Sequence, residues 1–149
     1  MKTLLTLPAF IFLAVSQLPA QMPAEGFAGK WKVSFAQSKF PGPPPQVDEC
    51  TVDPDGTVTV NETTADGKSN SWHYTPVAGK AVAIDGREKA TVIVKRVNSH
   101  TREQIWNFNG RAAKSKAVLS ADGKTTTFTM DGTDKDGKPF HEMVVYVRQ

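Results

Sequence analysis

The chain has 149 residues, with 18 Lys and Arg against 15 Asp and Glu, and a single cysteine. That length suits one domain and leaves no room for separate cofactor and substrate domains. The positive charge is weak and dispersed, without the basic runs of nucleic-acid binders, so no nucleic-acid partner is expected.

Taken in chain order, Lys2, the apolar residues 4–15 and Leu18-Pro19-Ala20 supply the charge, apolar core and small-residue cleavage site of a signal peptide. The apolar run is too short for a membrane span. Residues 1–20 are read as a leader and 21–149 as one mature domain, secreted or periplasmic. Gln21, not cysteine, follows the cleavage site, so a lipid anchor is not expected. Cys50 has no partner for a disulfide within the chain, and the core must supply the stability of an exported protein by itself. Asn61-Glu62-Thr63 fits a glycosylation acceptor.

Beyond the leader, runs rich in Val, Thr and aromatic residues occupy 30–36, 47–53, 57–63, 70–77, 80–85, 91–98, 101–109, 111–120, 125–132 and 139–147. Turn signals separate them: Asp55-Gly56, Asp66-Gly67, Ala78-Gly79, Asp85-Gly86, Asn109-Gly110, Asp122-Gly123 and Asp136-Gly137. No run has a 3.6-residue period; 111–120, with three alanines, comes nearest to a helix and is read as a strand. The connections are hairpin-short except Phe40-Pro41-Gly42-Pro43-Pro44-Pro45, whose prolines favour a stiff extended loop. Short connections make consecutive strands antiparallel neighbours, and a long meander removes its edges by closing. The expected fold is all-β, an antiparallel up-and-down barrel of about eight to ten strands.

Two-residue loops then fix which residues face each other. Closing at Asn109-Gly110, Asp122-Gly123 and Asp136-Gly137 generates rows on one face: Gln104, Ser115, Met130, Met143; Trp106, Ala113, Gly132, His141; and Ala117, Phe128, Val145. Lys114, Lys116, Thr125, Thr127 and Thr129 take the outer face. In the N-terminal half a three-residue loop at Pro54–Gly56 aligns Cys50 with Val60, and the turn at Asp66-Gly67 aligns Val60 with His73; Cys50 and His73 then point inward and Trp72 and Tyr74 outward.

Phe27-Ala28-Gly29-Lys30-Trp31-Lys32-Val33 opens the first strand with a Gly-x-Trp. With the meander behind it, this resembles the lipocalin motif. Ser38-Lys39-Phe40, Val94-Lys95-Arg96-Val97, Ser120-Ala121-Asp122-Gly123-Lys124 and Asp134-Lys135-Asp136-Gly137-Lys138-Pro139 extend the likeness over most of residues 27–149. Together they resemble the lipocalin-like, calycin-type secreted proteins of soil bacteria. The resemblance implies a closed end where a basic residue of the last strand covers the Trp, with Arg148 over Trp31 as a cation–π pair.

Several functional readings are compatible with this barrel. In the first, Trp106, Phe128, Met130 and Met143 give apolar contacts and Gln104, Ser115 and His141 give polar anchors for a small hydrophobic or amphipathic ligand. Against it stands a barrel filled by its own side chains, acting as an interaction or inhibitor module through Trp72, Tyr74 and the Pro-rich loop. A soft metal on His141, Met143 and Met130 lacks the usual ligand spacings, so neither a metal nor a cofactor is expected. Enzymatic chemistry comes third. Cys50 and His73 lie two strands apart, about 10 Å, too far for an easy nucleophile–base bond. No nucleophile motif, phosphate loop or inward pair of carboxylates is evident. Arg96 and Glu103 are expected as a surface ion pair across Ser99-His100. The preferred reading is a non-catalytic binder.

Overall fold

Among the described residues the alternating runs form ten strands, and the one other element is a single helical turn. The computed structural model describes residues 20–149, so the leader reading falls almost wholly outside the described residues. The strands are β1 (Gly29–Val33), β2 (Val47–Val52), β3 (Val58–Thr63), β4 (Ser69–Tyr74), β5 (Ala81–Ala83), β6 (Ala90–Asn98), β7 (Thr101–Phe108), β8 (Arg111–Leu119), β9 (Thr125–Thr133) and β10 (Pro139–Arg148). One turn of 3-10 helix (Glu25–Phe27) precedes them. Residues 111–119 are extended despite three alanines: β8 buries Ala113, Ser115, Ala117 and Leu119 and exposes Lys114, Lys116 and Val118, a two-residue period that a helix cannot use.

The strands make a single antiparallel sheet ordered β4-β3-β2-β1-β10-β9-β8-β7-β6-β5. The outermost strands, β4 and β5, then meet. His73 and Asp85 exchange backbone bonds of 3.0 and 2.9 Å, and His73 Nε2 lies 3.2 Å from Asp85 Oδ2. This bridge joins the two edges at one point, so the up-and-down barrel is nearly closed.

At one end the barrel is sealed. Trp31 and Phe27 are buried there, and Trp31 Nε1 donates to Phe27 O at 2.9 Å. Arg148 sits directly across from Trp31 in the β1–β10 register, its guanidinium 4.2 Å from the Trp31 ring centroid, and it also donates to the carbonyls of Gly26, Ala28 and Gly123. A Cβ on Gly29 would approach Arg148 Nη1 to 2.5 Å, and its φ of +140° also favours glycine. Arg102, buried on β7, holds the N-terminal segment through 2.7 Å bonds to Pro23 O and Ala24 O and lies 4.7 Å from the Phe27 ring centroid.

The expected register holds in half of the barrel and slips in the rest. Gln104 faces Ser115, Trp106 faces Ala113, Ser115 faces Met130 and Ala117 faces Phe128, as two- and four-residue loops require, and Cys50 faces Val60 across the three-residue loop at 54–56. At Asp136-Gly137 the loop has three residues: Asp134 N–H donates to Lys138 O, and Gly137 takes a positive φ. An odd loop moves the pairing by one and exchanges the faces. The rows therefore continue to Glu142, Phe140 and Val144 instead of Met143, His141 and Val145. The turn at Asp66-Gly67 does the same, with Thr64 N–H donating to Lys68 O, so Val60 faces Trp72 rather than His73. Between Arg96 and Asn98 a bulge places Arg96 opposite Arg102. The expected Arg96–Glu103 pair is not made, and Arg96 instead meets Glu25 at 2.7 Å.

Candidate functional site

A cavity of about 320 Å³ remains inside the barrel. Its floor is the sealed end, with Phe27, Trp31, Val52 and Tyr74. Val60, Val94, Trp106, Phe128 and Val144 form the middle, and Asp48, Glu62, Glu142, Arg87, Trp72 and Phe108 lie toward the other end, where β2 and β10 start and β3 and β7 finish.

Trp106, 3% exposed, is the hub of an aromatic wall. Its ring stacks on Phe108 at 5.7 Å between centroids and meets Tyr74, Trp72 and Phe128 edge-on at 5.7, 6.2 and 6.4 Å. Its Nε1 donates to Ser115 Oγ at 2.7 Å, and that hydroxyl donates to Gln104 Oε1 at 2.6 Å. All three residues lie on one face of β7 and β8 because the Asn109-Gly110 loop pairs Gln104 with Ser115 and Trp106 with Ala113. This relay orients the indole and satisfies its N–H, as a buried indole requires.

Above this wall the lining is charged. Asp48 on β2 is 9% exposed, and Tyr146 Oη donates to both its carboxylate oxygens at 3.2 and 3.3 Å. Burial pushes the Asp48 carboxyl from 3.8 up to about 6, outweighing the lowering effect of the Tyr146 bond. Glu142 is also raised, by burial and then by Glu62. Glu62 on β3 accepts from Arg87 Nη2 at 2.6 Å, while the Arg87 guanidinium lies 4.8 Å from the Trp72 ring centroid and 6.0 Å from that of Phe108. Burial pushes the Cys50 thiol up to about 12 and holds the Tyr74 and Tyr146 phenols well above their usual range. A thiol so protonated is a wall residue, not a nucleophile. Among the described residues no three His, Cys, Asp or Glu side chains are grouped to hold a metal ion.

Of the residues the sequence nominated, Gln104, Trp106, Phe128 and Met130 border the cavity, and Ser115 is buried behind Trp106. His141 and Met143 are corrections, because the odd loop at 135–137 turns them outward. His141 is exposed and bonds Asp131 at 2.7 Å, and Met143 bridges Lys39 through 2.7 and 2.9 Å backbone bonds. The His/Met set is thereby split across the barrel wall. Trp72 and Tyr74 are the reverse case. Tyr74 is 6% exposed and both line the cavity, so the outer aromatic surface assigned to them is absent. His73 points away from Cys50.

The sequence reading missed the inward carboxylates. For two of them the signal was present: with Cys50 and Val60 inward, period-two alternation also places Asp48 and Glu62 inward. Glu142 depended on the length of the 135–137 loop, and Arg87 sits in the β5–β6 connection, where no alternation applies.

No protein-family model matches the chain, and no curated protein matches it. Solved structures do. An Asn-to-Ala variant of the fluorescent protein UnaG superposes with a TM-score of 0.58 at 13% identity, covering 85% of this chain and 98% of that one. Wild-type UnaG gives 0.52 at 13%, covering 85% and 99%, and an Asn-to-Gln variant 0.54 at 15%, covering 84% and 97%. The chain shares with UnaG the architecture of an antiparallel up-and-down β-barrel. At such identities the likeness carries architecture alone, so the reading of the cavity rests on this chain's own residues.

Proposed function

We propose that the protein is a non-catalytic binder of a small amphipathic molecule, exported by its N-terminal leader. The observation that carries this is the cavity of about 320 Å³, sealed at one end, with an aromatic middle and polar groups toward the other end. That combination of apolar walls with few convergent polar groups typifies small-molecule sites, and the volume falls at the lower end of their range. A barrel packed solid by its own side chains would leave no such space. Tryptophan emission is the natural reporter, since Trp31, Trp72 and Trp106 all border the cavity. Titration with a short bromoalkane, a heavy-atom quencher, should quench tryptophan emission saturably in the wild type, and Trp106→Phe, which removes the ring at the centre of the aromatic wall, should reduce the saturable part. Linear collisional quenching, unchanged by Trp106→Phe, would contradict the reading.

A further inference from the structure

We propose that the ligand of this cavity carries a cationic amine attached to an apolar, aromatic-sized body; the inference rests on the binding reading above. Three carboxylates line the space, Asp48, Glu62 and Glu142, against two guanidinium groups, Arg87 and Arg102. Arg102 is held at the sealed end by the carbonyls of Pro23 and Ala24, so it does not balance the acidic end. Arg87 is engaged by Glu62. Asp48 and Glu142 therefore face the cavity without a cation of their own, and Asp48 has only the Tyr146 hydroxyl as side-chain donor. A carboxylate offers about four acceptor sites, and burial without a counter-charge is unfavourable.

A second, independent observation concerns the uncharged wall. Thr126, 8% exposed, lines the same cavity, and its Oγ1 has no hydrogen-bond partner among the described residues. It lies across from Tyr146 in the β9–β10 register, beside the residue that contacts Asp48. Its hydroxyl can accept from an N–H donor or itself donate, so it marks an unmet polar position on the cavity wall, as does the unpartnered Trp72 Nε1. The protein also shows how a cation sits here: Arg87 lies over Trp72 while bonded to Glu62, charge on carboxylate and face on indole at once. An ammonium on an apolar body can repeat that arrangement against Asp48, Glu142 and the aromatic wall. A bare metal ion does not fit, since no three candidate ligands are grouped for one among the described residues.

The test uses three probes with one body: naphthylmethylamine, naphthylmethanol and naphthoic acid, titrated calorimetrically into the full mature chain at about pH 7.5, where the amine is charged and the acid ionised. The amine should bind about tenfold or more tighter than the alcohol, and the acid more weakly than either. Asp48→Asn and Glu142→Gln should each cost the amine roughly five- to tenfold and leave the alcohol unchanged, which also reports that the cavity is intact. Arg87→Gln should tighten the amine by freeing Glu62 and Trp72. The inference is overturned if the alcohol or the acid binds as tightly as the amine, or if the variants weaken all three probes alike. Binding by none of the three would overturn the cavity-binding reading as well, whereas alcohol binding without an amine preference would remove only the charge inference.

Discussion

Asp48→Asn should stabilise the protein at neutral pH. The carboxyl is buried beside the cavity with one hydroxyl donor, and burial moves it from 3.8 to about 6. The native state therefore holds this proton more tightly than the unfolded chain does. The contribution of this group to stability is full below 3.8, falls as the pH rises, and is wholly lost above about 6. At about 1.4 kcal/mol per pH unit, the loss at pH 8 amounts to as much as about 3 kcal/mol. Asparagine keeps an oxygen to accept from Tyr146 and carries no charge to desolvate. The substitution should then gain about 1–3 kcal/mol at pH 8, raising Tm by several degrees, and gain little at pH 3.5. Urea unfolding followed by far-UV circular dichroism at both pH values reads the difference directly. Equal or lower stability of the variant at pH 8, or a gain independent of pH, would refute the reasoning. The same substitution is expected to weaken the amine probe, so binding and stability should move in opposite directions at this position.

Other positions give equally specific expectations. Arg148→Ala removes the cation over Trp31 and three carbonyl contacts at the sealed end, and should cost about 2–4 kcal/mol in urea unfolding; Arg148→Lys should recover less than half, because an ammonium cannot reproduce the guanidinium fork. Ser115→Ala strands the Trp106 N–H and the Gln104 oxygen in a buried site and should cost about 2–3 kcal/mol, with a changed tryptophan emission maximum; an unaltered spectrum and stability would contradict the relay. Cys50, with its thiol raised to about 12 by burial, should react with a thiol-specific disulfide reagent far more slowly than an exposed cysteine, so labelling of the native state as fast as that of the unfolded chain would contradict its placement in the wall.

Much of this architecture was legible in the sequence, and the failures are local. All ten runs became strands because the period-two burial and the Asp-Gly or Asn-Gly turns agree along the chain. The rows through Gln104, Ser115 and Met130 follow from loops with an even number of residues. What remained hidden was loop parity. The string Ala-Asp-Gly-Lys occurs at 65–68 and again at 121–124, each time after a hydroxyl residue. The first closes as a three-residue loop, with Thr64 bonded to Lys68; the second closes as a four-residue loop, with Ser120 bonded to Thr125. Local turn chemistry does not separate them, so the choice lies with what the flanking strands bury: Trp72 and Tyr74 in one case, Ala117 and Leu119 in the other. The same ambiguity at 135–137 hid Glu142 and misplaced His141 and Met143. The candidate site was thus half visible: Trp106 and Phe128 follow from register, and Asp48 and Glu62 from the alternation of β2 and β3, whereas Trp72, Tyr74 and Glu142 needed the faces of β4 and β10.

The account depends most on the interior being a binding space. Native mass spectrometry of the protein purified from its own source, before and after organic extraction, tests this directly. The account predicts one small organic molecule per chain, released by extraction and absent from protein carrying Trp106→Phe together with Glu142→Gln. A single bare-chain mass before extraction, with no saturable quenching by the bromoalkane, would contradict it.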